Sequence, residues 1–462
     1  MSAILFMGAG PLPFENTRRF SAPGGRTWQL IRPLLKDGHR VLLLALYPRD
    51  SEPVPAGAAS PEKGLTCRPI TRDTLRAPGA LPSLLGEFRP DALVATGAES
   101  CCIAAGASGE LPFWADVFGD LLAEAQAKAA RCEDDHWVAS FWSRFRPVLL
   151  RGDRFSAVST PQKYALLGEL ATQGRVNAAN AGTELVHVVH SAVPGIPYRR
   201  ESRAVRGSKV GEGDFVVLWS GGYNTWADTE TLFLGLEYAM ERNPAVKFVS
   251  TGGEIRDHDE VTYPRFLDRI RGSPHRERYV MEGWVPRERV KDYFLDADVG
   301  INVDRFLYEG VLGCRTRLLD WAAAGLPVLT TVLCELTVTL DREGLVTAFP
   351  IGDPAALGKS ILSLAGNRGS LRAMGQRFRE YVFSRFTYEA TTGPIRQWAA
   401  APFVVDHRTS MDSLSPLRFD ESPEELKAKL DELRALKASR AYRLFLALTG
   451  GAARSGRRGM IR

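Results

Sequence analysis

The stretch GCRTRLLDWAAAGLPVL, residues 313–329, carries three charged side chains whose placement raises a chemical question. Leu318 to Ala324 is helix-forming, Gly325 stands where a helix C-cap is wanted, and PVLTTVL beyond it reads as a strand. Arg315 and Arg317 therefore crowd a helix start, where the partial positive charge of the backbone favours acids instead. Asp320 follows one turn later. A pairing of Arg317 with Asp320 at i,i+3 is the plainest use of the two, worth only about 0.2–0.5 kcal/mol.

Glycine pairs are the second chemical signal. Gly24-Gly25, Gly221-Gly222 and Gly252-Gly253 each stand between an expected strand and an expected helix. Such turns bring backbone N–H groups close to a ligand at a helix start, and β-to-α connections also use glycine for purely steric reasons. The common nucleotide signatures fail. GAG at Gly8–Gly10 lacks the third glycine of a dinucleotide fingerprint, since Pro13 falls there. GKS at Gly358–Ser360 has Asp353 where a Walker loop needs glycine, and it lies inside an expected helix. No HExxH occurs, and the six cysteines show no CxxC pair or metal-ligand spacing, so reduced thiols and no metal site are expected.

The elements that must hold these residues alternate. ILFMGAG, then a helix through GGRTWQLIRPLLKDGH, then RVLLLAL begin a β/α rhythm that continues through PDALVATGAES, LPFWADVFGD and DRFSAVSTPQKYALLGEL. Continuous apolar strands separated by helices imply a parallel sheet covered on both faces. Around residues 195–213 the chain turns polar, basic and Gly/Pro-containing, and the rhythm then restarts at FVVLWSGG. The expected fold class is α/β: two doubly wound, Rossmann-like halves facing across a cleft, with the ligand site where both sheets present their strand C-termini. The expected boundaries are 1–200, a linker at 201–213, a second domain at 214–385, a helix at 386–402 crossing back to the first, and a linker and helical tail at 403–462.

Charge is uneven. Eight Lys/Arg and no acid follow Glu432, so the first 432 residues carry −3 of the net +5. That argues against nucleic acid as a partner of the body and points to a local anionic partner for the tail. With 45% hydrophobic and 24% charged residues, no secretory leader and no apolar run of about 18 residues, a cytoplasmic protein with a large core is expected.

In the order of its segments, the chain from about Phe215 to Phe386 resembles retaining glycosyltransferases of the GT-B fold, specifically family 4. FVVLWSGGYNTWADTETLFLGLEYAM resembles that family's first donor-domain strand, loop and helix; VKFVSTGG its strand ending in G-x-G; and YVMEGWVPRERVKDYFLDADVGINV, with Trp284, its F-x-G-x-V…A-D-V run. LLDWAAAGLPVLTT resembles L-E-A-M-A-x-G-x-P-V, and CELTVTLDREGLVTAFPIGDPAALGKSI resembles the segment that follows. The first half matches more loosely, through Gly24-Gly25 and KDGHRVLLL.

The resemblance implies a metal-independent hexosyltransferase that uses a nucleotide-diphosphate-sugar as donor, needs no further cofactor, and acts on a glycan or lipid-linked acceptor in polysaccharide assembly. It places Asp320 at the second glutamate of an E-x7-E element, the ribose contact, where a carboxylate accepts from both hydroxyls. Arg315 and Arg317 would then be tolerated because a diphosphate supplies the missing negative charge. Two departures matter. Leu312 occupies the first glutamate's place, leaving Glu309 as the nearest acid for the donor sugar, and the loop SGGYNTWADTE has no basic residue where relatives offer Arg and Lys. Arg315 and Arg317 are expected to replace those cations, with Gly221 and Gly222 adding backbone donors. Glu335 matches the acid after the family's GG element, and Trp284 falls on the nucleotide side.

On the acceptor side, Asp116 is the candidate catalytic acid by position, while Asp120 suits either the same loop or a helix cap. Glu99 is a further candidate there, and His190 reads as interdomain structure. The tail, with Leu426, Leu430, Leu433 and Leu436 on one side and Arg440, Tyr442 and Arg443 beyond, fits a membrane-surface helix at the inner membrane face. It equally fits a helix packed on the body or on a second copy, and the oligomeric state stays open. Two other readings of the whole chain remain: a nucleotide-sugar epimerase of the same architecture, and a non-catalytic binding subunit.

Overall fold

β1 (Ala3–Ala9) is apolar along its length because both of its faces are covered. Leu5 and Met7 pack into one core cluster, Ile4 and Phe6 into the opposite one. This is the alternation of a central parallel strand. The same device recurs in β8 (Phe215–Ser220), where Phe215, Val217 and Trp219 face one layer of helices and Val216 and Leu218 the other.

The computed structural model describes residues 1–15, 22–47, 62–71, 80–86, 88–256 and 258–405, with 431, 432, 435 and 439 beyond them. Met1–Arg408 form one compact unit and Thr409–Arg462 a second. The expected tail helix, with its leucine side and basic end, lies outside the described residues.

The first sheet adds β2 (Arg40–Leu46), β3 (Leu65–Ile70), β4 (Ala92–Thr96), β5 (Phe113–Asp116), β6 (Arg154–Ala157) and β7 (Val186–Val188) in the order β3-β2-β1-β4-β5-β6-β7. The second adds β9 (Val246–Thr251), β10 (Tyr279–Gly283), β11 (Val299–Asn302), β12 (Val328–Thr331) and β13 (Thr347–Phe349) in the order β10-β9-β8-β11-β12-β13. All paired strands run parallel. Strand order reverses between β1 and β4 and between β8 and β11, and such switch points, beyond the strand C-termini, are where folds of this kind place a ligand crevice.

Two glycines set the path of the chain at opposite ends of the second sheet. Gly252 has φ +119°, and a side-chain carbon there would lie 2.2 Å from the Gly221 carbonyl oxygen. Gly325 ends the Thr316–Ala324 helix at φ 70°, as its sequence position predicts, with its N–H and that of Leu326 returning to Ala322 and Trp321.

Residues 201–213 are pinned rather than loose. Asp296 accepts from the Ala204 and Val205 N–H groups at 2.8 and 3.0 Å, and Asp292 from Ser202 Oγ at 2.8 Å. The chain passes between the sheets twice, side by side: Val193 donates to Phe386 O at 2.9 Å and accepts from Tyr388 N at 3.2 Å. The Gly393–Ala400 helix then packs Ile395, Trp398 and Ala399 into the core around Phe6 and Trp28.

Candidate active site

At the β8/β11 switch point the two arginines part company. Arg315 is 4% exposed, and its Nε lies 2.9 Å from each oxygen of Asp304, while Nη1 and Nη2 reach the two oxygens of Glu309 at 3.2 and 3.0 Å. Burial works against its charge, but Asp304 and Glu309 outweigh it and hold the guanidinium well above its ordinary pKa. Arg315 is therefore an internal counter-ion and not a free grip for a diphosphate. The same clamp corrects the expectation for Glu309. In the Tyr308–Leu312 helix, both of its oxygens are taken up, and its proton affinity is raised by burial against the pull of Arg315.

Arg317 makes no ion pair among the described residues. It stacks over the Trp219 ring at 4.4 Å and donates to Gly222 O at 3.3 Å, and its Nη1 is buried with no hydrogen-bond partner. Burial lowers its pKa to about 10, which leaves it charged at neutral pH. The Gly221 N–H is corrected out of the donor set, since it is already bonded to Thr251 O at 2.7 Å. Gly222 sits against Ile255, and Thr251 Oγ1 nearby is buried without a partner.

Asp320 does not pair with Arg317. It accepts from Tyr198 Oη at 3.1 Å, and burial raises its pKa against the attraction of Arg287. Trp284 donates from its indole N–H to Glu254 O at 3.0 Å, beside Gly253 on the far edge of the same crevice. Arg317 and Asp320 thus share the Thr316–Ala324 helix but turn to different partners, Trp219 and Gly222 for the first and Tyr198 for the second, while Trp284 follows β10.

The first domain's candidates are mostly structural. Asp116 ends β5 instead of lying in the loop after it. It is fully buried, held by Arg26 through two bonds of 2.9 and 2.7 Å and by the hydroxyls of Thr96 and Ser156 at 2.5 Å each. A carboxylate so saturated has no lone pair to spare, so the expectation of a catalytic acid there is corrected. Gly24 and Gly25 lie inside the first turn of the Ala22–Lys36 helix, not in a turn ahead of it. Asp120 caps the Leu121–Cys132 helix by accepting from Ala123 N at 2.8 Å. Glu99 lies in the first turn of the Ala98–Ala107 helix, and the His190 ring stacks edge-on with Phe386 of the crossing segment.

Contacts join the two domains across the cleft. Glu335 Oε2 accepts from Thr160 N at 2.8 Å, so the acid expected at the nucleotide instead holds the N-terminus of the Thr160–Thr172 helix. Ser159 Oγ donates to Leu312 O at 2.5 Å. His258 Nδ1 lies 3.5 Å from Glu124 Oε1. This His–Glu pair had no sequence signal, because the two residues meet only through the tertiary fold.

The pair predicts a pH dependence. Burial, with Glu309 and Asp120 adding to it against Lys128, raises Glu124 to about 7. Burial lowers His258 to about 4. The Glu124 carboxyl keeps a proton in the fold that it loses near 4.5 when free, so its contribution falls as pH rises through that window towards 7. His258 acts oppositely between about 4 and 6.5, because there the fold excludes a proton that the free ring would bind. Glu124→Gln is expected to raise the melting temperature relative to wild type at pH 8 and not at pH 5; an equal shift at both would remove Glu124 from the account.

Among the described residues no three His, Cys, Asp or Glu side chains are arranged to hold a metal ion, and no helix is long and apolar enough to cross a membrane. No family model matches the sequence, and no curated protein does. Solved structures do. The chain superposes on a sucrose-phosphate synthase from Thermosynechococcus elongatus with a TM-score of 0.65 at 15% identity, over 87% of this chain and 98% of that one. HepE from Anabaena, in complex with UDP-glucose, gives 0.59 at 13% identity over 87% and 100%. The N-terminal domain of a Candida albicans trehalose-6-phosphate phosphatase gives 0.61 at 12% over 87% and 98%. The chain therefore has the GT-B fold of these structures, two Rossmann-like domains face to face.

Proposed function

We propose that the protein is a glycosyltransferase, similar to family 4, that moves a sugar from a nucleotide-diphosphate donor to a glycan or lipid-linked acceptor with retention and without a metal ion. The observation that carries this reading is Arg317: a charged guanidinium with a buried, unpartnered Nη1 at the switch point of the second sheet. Such a group calls for an anion. A diphosphate at Arg317 and the Gly222 loop would put the ribose toward Asp320 and the base toward Trp284. That HepE was solved with UDP-glucose supports a sugar nucleotide as the donor class.

The direct test is a thermal-shift panel of sugar nucleotides followed by product analysis. A bound donor at a hundred times its dissociation constant should stabilise the fold by about 2.7 kcal/mol. A panel in which none shifts the protein would refute the donor assignment. Conversion of donor alone to an isomer would identify an epimerase, and binding without hydrolysis or transfer would identify a non-catalytic subunit. For the basic residues 433–462 we propose contact with an anionic membrane surface, on sequence grounds alone. Their removal is expected to abolish co-sedimentation with anionic liposomes, and unchanged sedimentation would reject the idea.

A further inference from the structure

A cavity of about 480 Å³ opens where the C-terminal end of the Leu121–Cys132 helix meets the first turns of the Thr229–Arg242 and Thr262–Arg271 helices. Four arginines line it. Arg131 comes from the first domain, Arg265 and Arg269 from the Thr262–Arg271 helix, and Arg305 from the loop after β11. Its two carboxylates are already engaged: Glu230 with Arg269 at 2.7 Å, and Asp268 with Arg271 at 2.5 Å. Arg131, Arg265 and Arg305 make no direct ion pair among the described residues, and the nearby Asp259 carboxylate, which attracts Arg131, already accepts from Thr262.

The polar accounting in the wall of the cavity is incomplete in the same direction. Arg131 Nε and Arg305 Nε are both buried without a hydrogen bond, although Arg305 Nη2 donates to Ala227 O at 3.0 Å and Arg131 Nη2 reaches only Thr262 Oγ1 at 3.5 Å. Three like charges gathered on one wall repel one another, and burying N–H donors unpaired costs free energy. An oxyanion with several acceptor lone pairs relieves both, and the planar guanidinium fork matches phosphoryl oxygens. The volume suits a small-molecule group.

We propose that this cavity is a phosphoryl-binding site, separate from the donor crevice, that holds the anionic end of the acceptor. The acceptor role rests on the glycosyltransferase reading; the binding site does not. The helix that supplies Arg131 begins at Asp120 and Glu124, beside Glu309. Eleven residues of helix separate Asp120 from Arg131, roughly 16 Å at 1.5 Å per residue. The phosphoryl group therefore sits a disaccharide's length or more from the cleft acids. Because Arg131 belongs to one domain and the other three arginines to the second, an occupant also ties the two domains together.

Calorimetric titration of the full chain with inorganic pyrophosphate tests the site. Arg317→Ala, which removes the donor-side cation, should leave one pyrophosphate site intact. Arg265→Glu, at an exposed side chain, should weaken that site at least tenfold without lowering the melting temperature or changing the donor-induced thermal shift. Pyrophosphate binding that disappears with Arg317→Ala, or that persists unchanged in Arg265→Glu, overturns the proposal. In transfer assays, Arg265→Glu should raise KM at least tenfold for a phosphate-bearing acceptor and leave an uncharged one unaffected. A sugar monophosphate and a polyprenyl-diphosphate-linked sugar, run as separate arms, identify the source, and no change in either rejects the acceptor role. Absence of all transfer with pyrophosphate binding intact would strike the glycosyltransferase reading and not the site.

Discussion

Arg315→Met is expected to lower the unfolding free energy by about 3–5 kcal/mol, because it strands Asp304 and Glu309 inside the protein without a counter-ion. The side chain is 4% exposed and spans both carboxylates, with four contacts between 2.9 and 3.2 Å. Removing one member of such a triad costs more than the triad contributes, since the remaining charges must be neutralised or re-solvated. Urea denaturation of the single variant and of Arg315→Met combined with Asp304→Leu and Glu309→Leu separates the two quantities. The triple variant should recover most of the loss. A single variant within about 1 kcal/mol of wild type, the range of an exposed ion pair, would show that Arg315 is not the internal counter-ion described here.

Arg317→Ala should give the opposite signature, two residues away. The melting temperature is expected to hold, because Arg317 makes one 3.3 Å bond to a carbonyl and leaves Nη1 unsatisfied in the free protein. On the glycosyltransferase reading proposed above, transfer should fall by about 10²–10³, the usual cost of removing one preorganised donor from developing negative charge on a leaving group. Arg317→Lys should recover part of the rate, since a point charge replaces the fork but cannot stack in the same way over Trp219 at 4.4 Å. Donor affinity and kcat both unchanged in Arg317→Ala would remove the diphosphate from this crevice.

The contrast between the two residues marks what could be read from sequence and what could not. The sheets were legible because buried parallel strands are apolar without interruption and β/α turns are punctuated by glycine, as at Gly221 and Gly252. The cap at Asp120 and the stop at Gly325 follow local rules that act within four residues. Arg315 was misread because its partners are set by the fold: Asp304 and Glu309 lie 11 and 6 residues upstream and converge only after β11 and the short Tyr308–Leu312 helix are in place. Two acids at those offsets before an arginine-rich helix start were the available hint. Asp116 offered none, since Arg26 is 90 residues away and Ser156 is 40. In each case a group that looks chemically available in the sequence is taken up by a partner that only the fold brings to it, Arg26 for Asp116, Arg315 for Glu309 and the Thr160 N–H for Glu335.

The paired passage of backbone at Val193 and Phe386–Tyr388 has a consequence for handling the protein. Each passage is a separate covalent tether between the halves, and the two are stitched together at 2.9 and 3.2 Å. A single proteolytic nick in either one therefore leaves the molecule joined by the other, running as two fragments only after denaturation. Severing both, or expressing the halves as separate genes, is what would be needed to exchange one half for that of another protein of this fold.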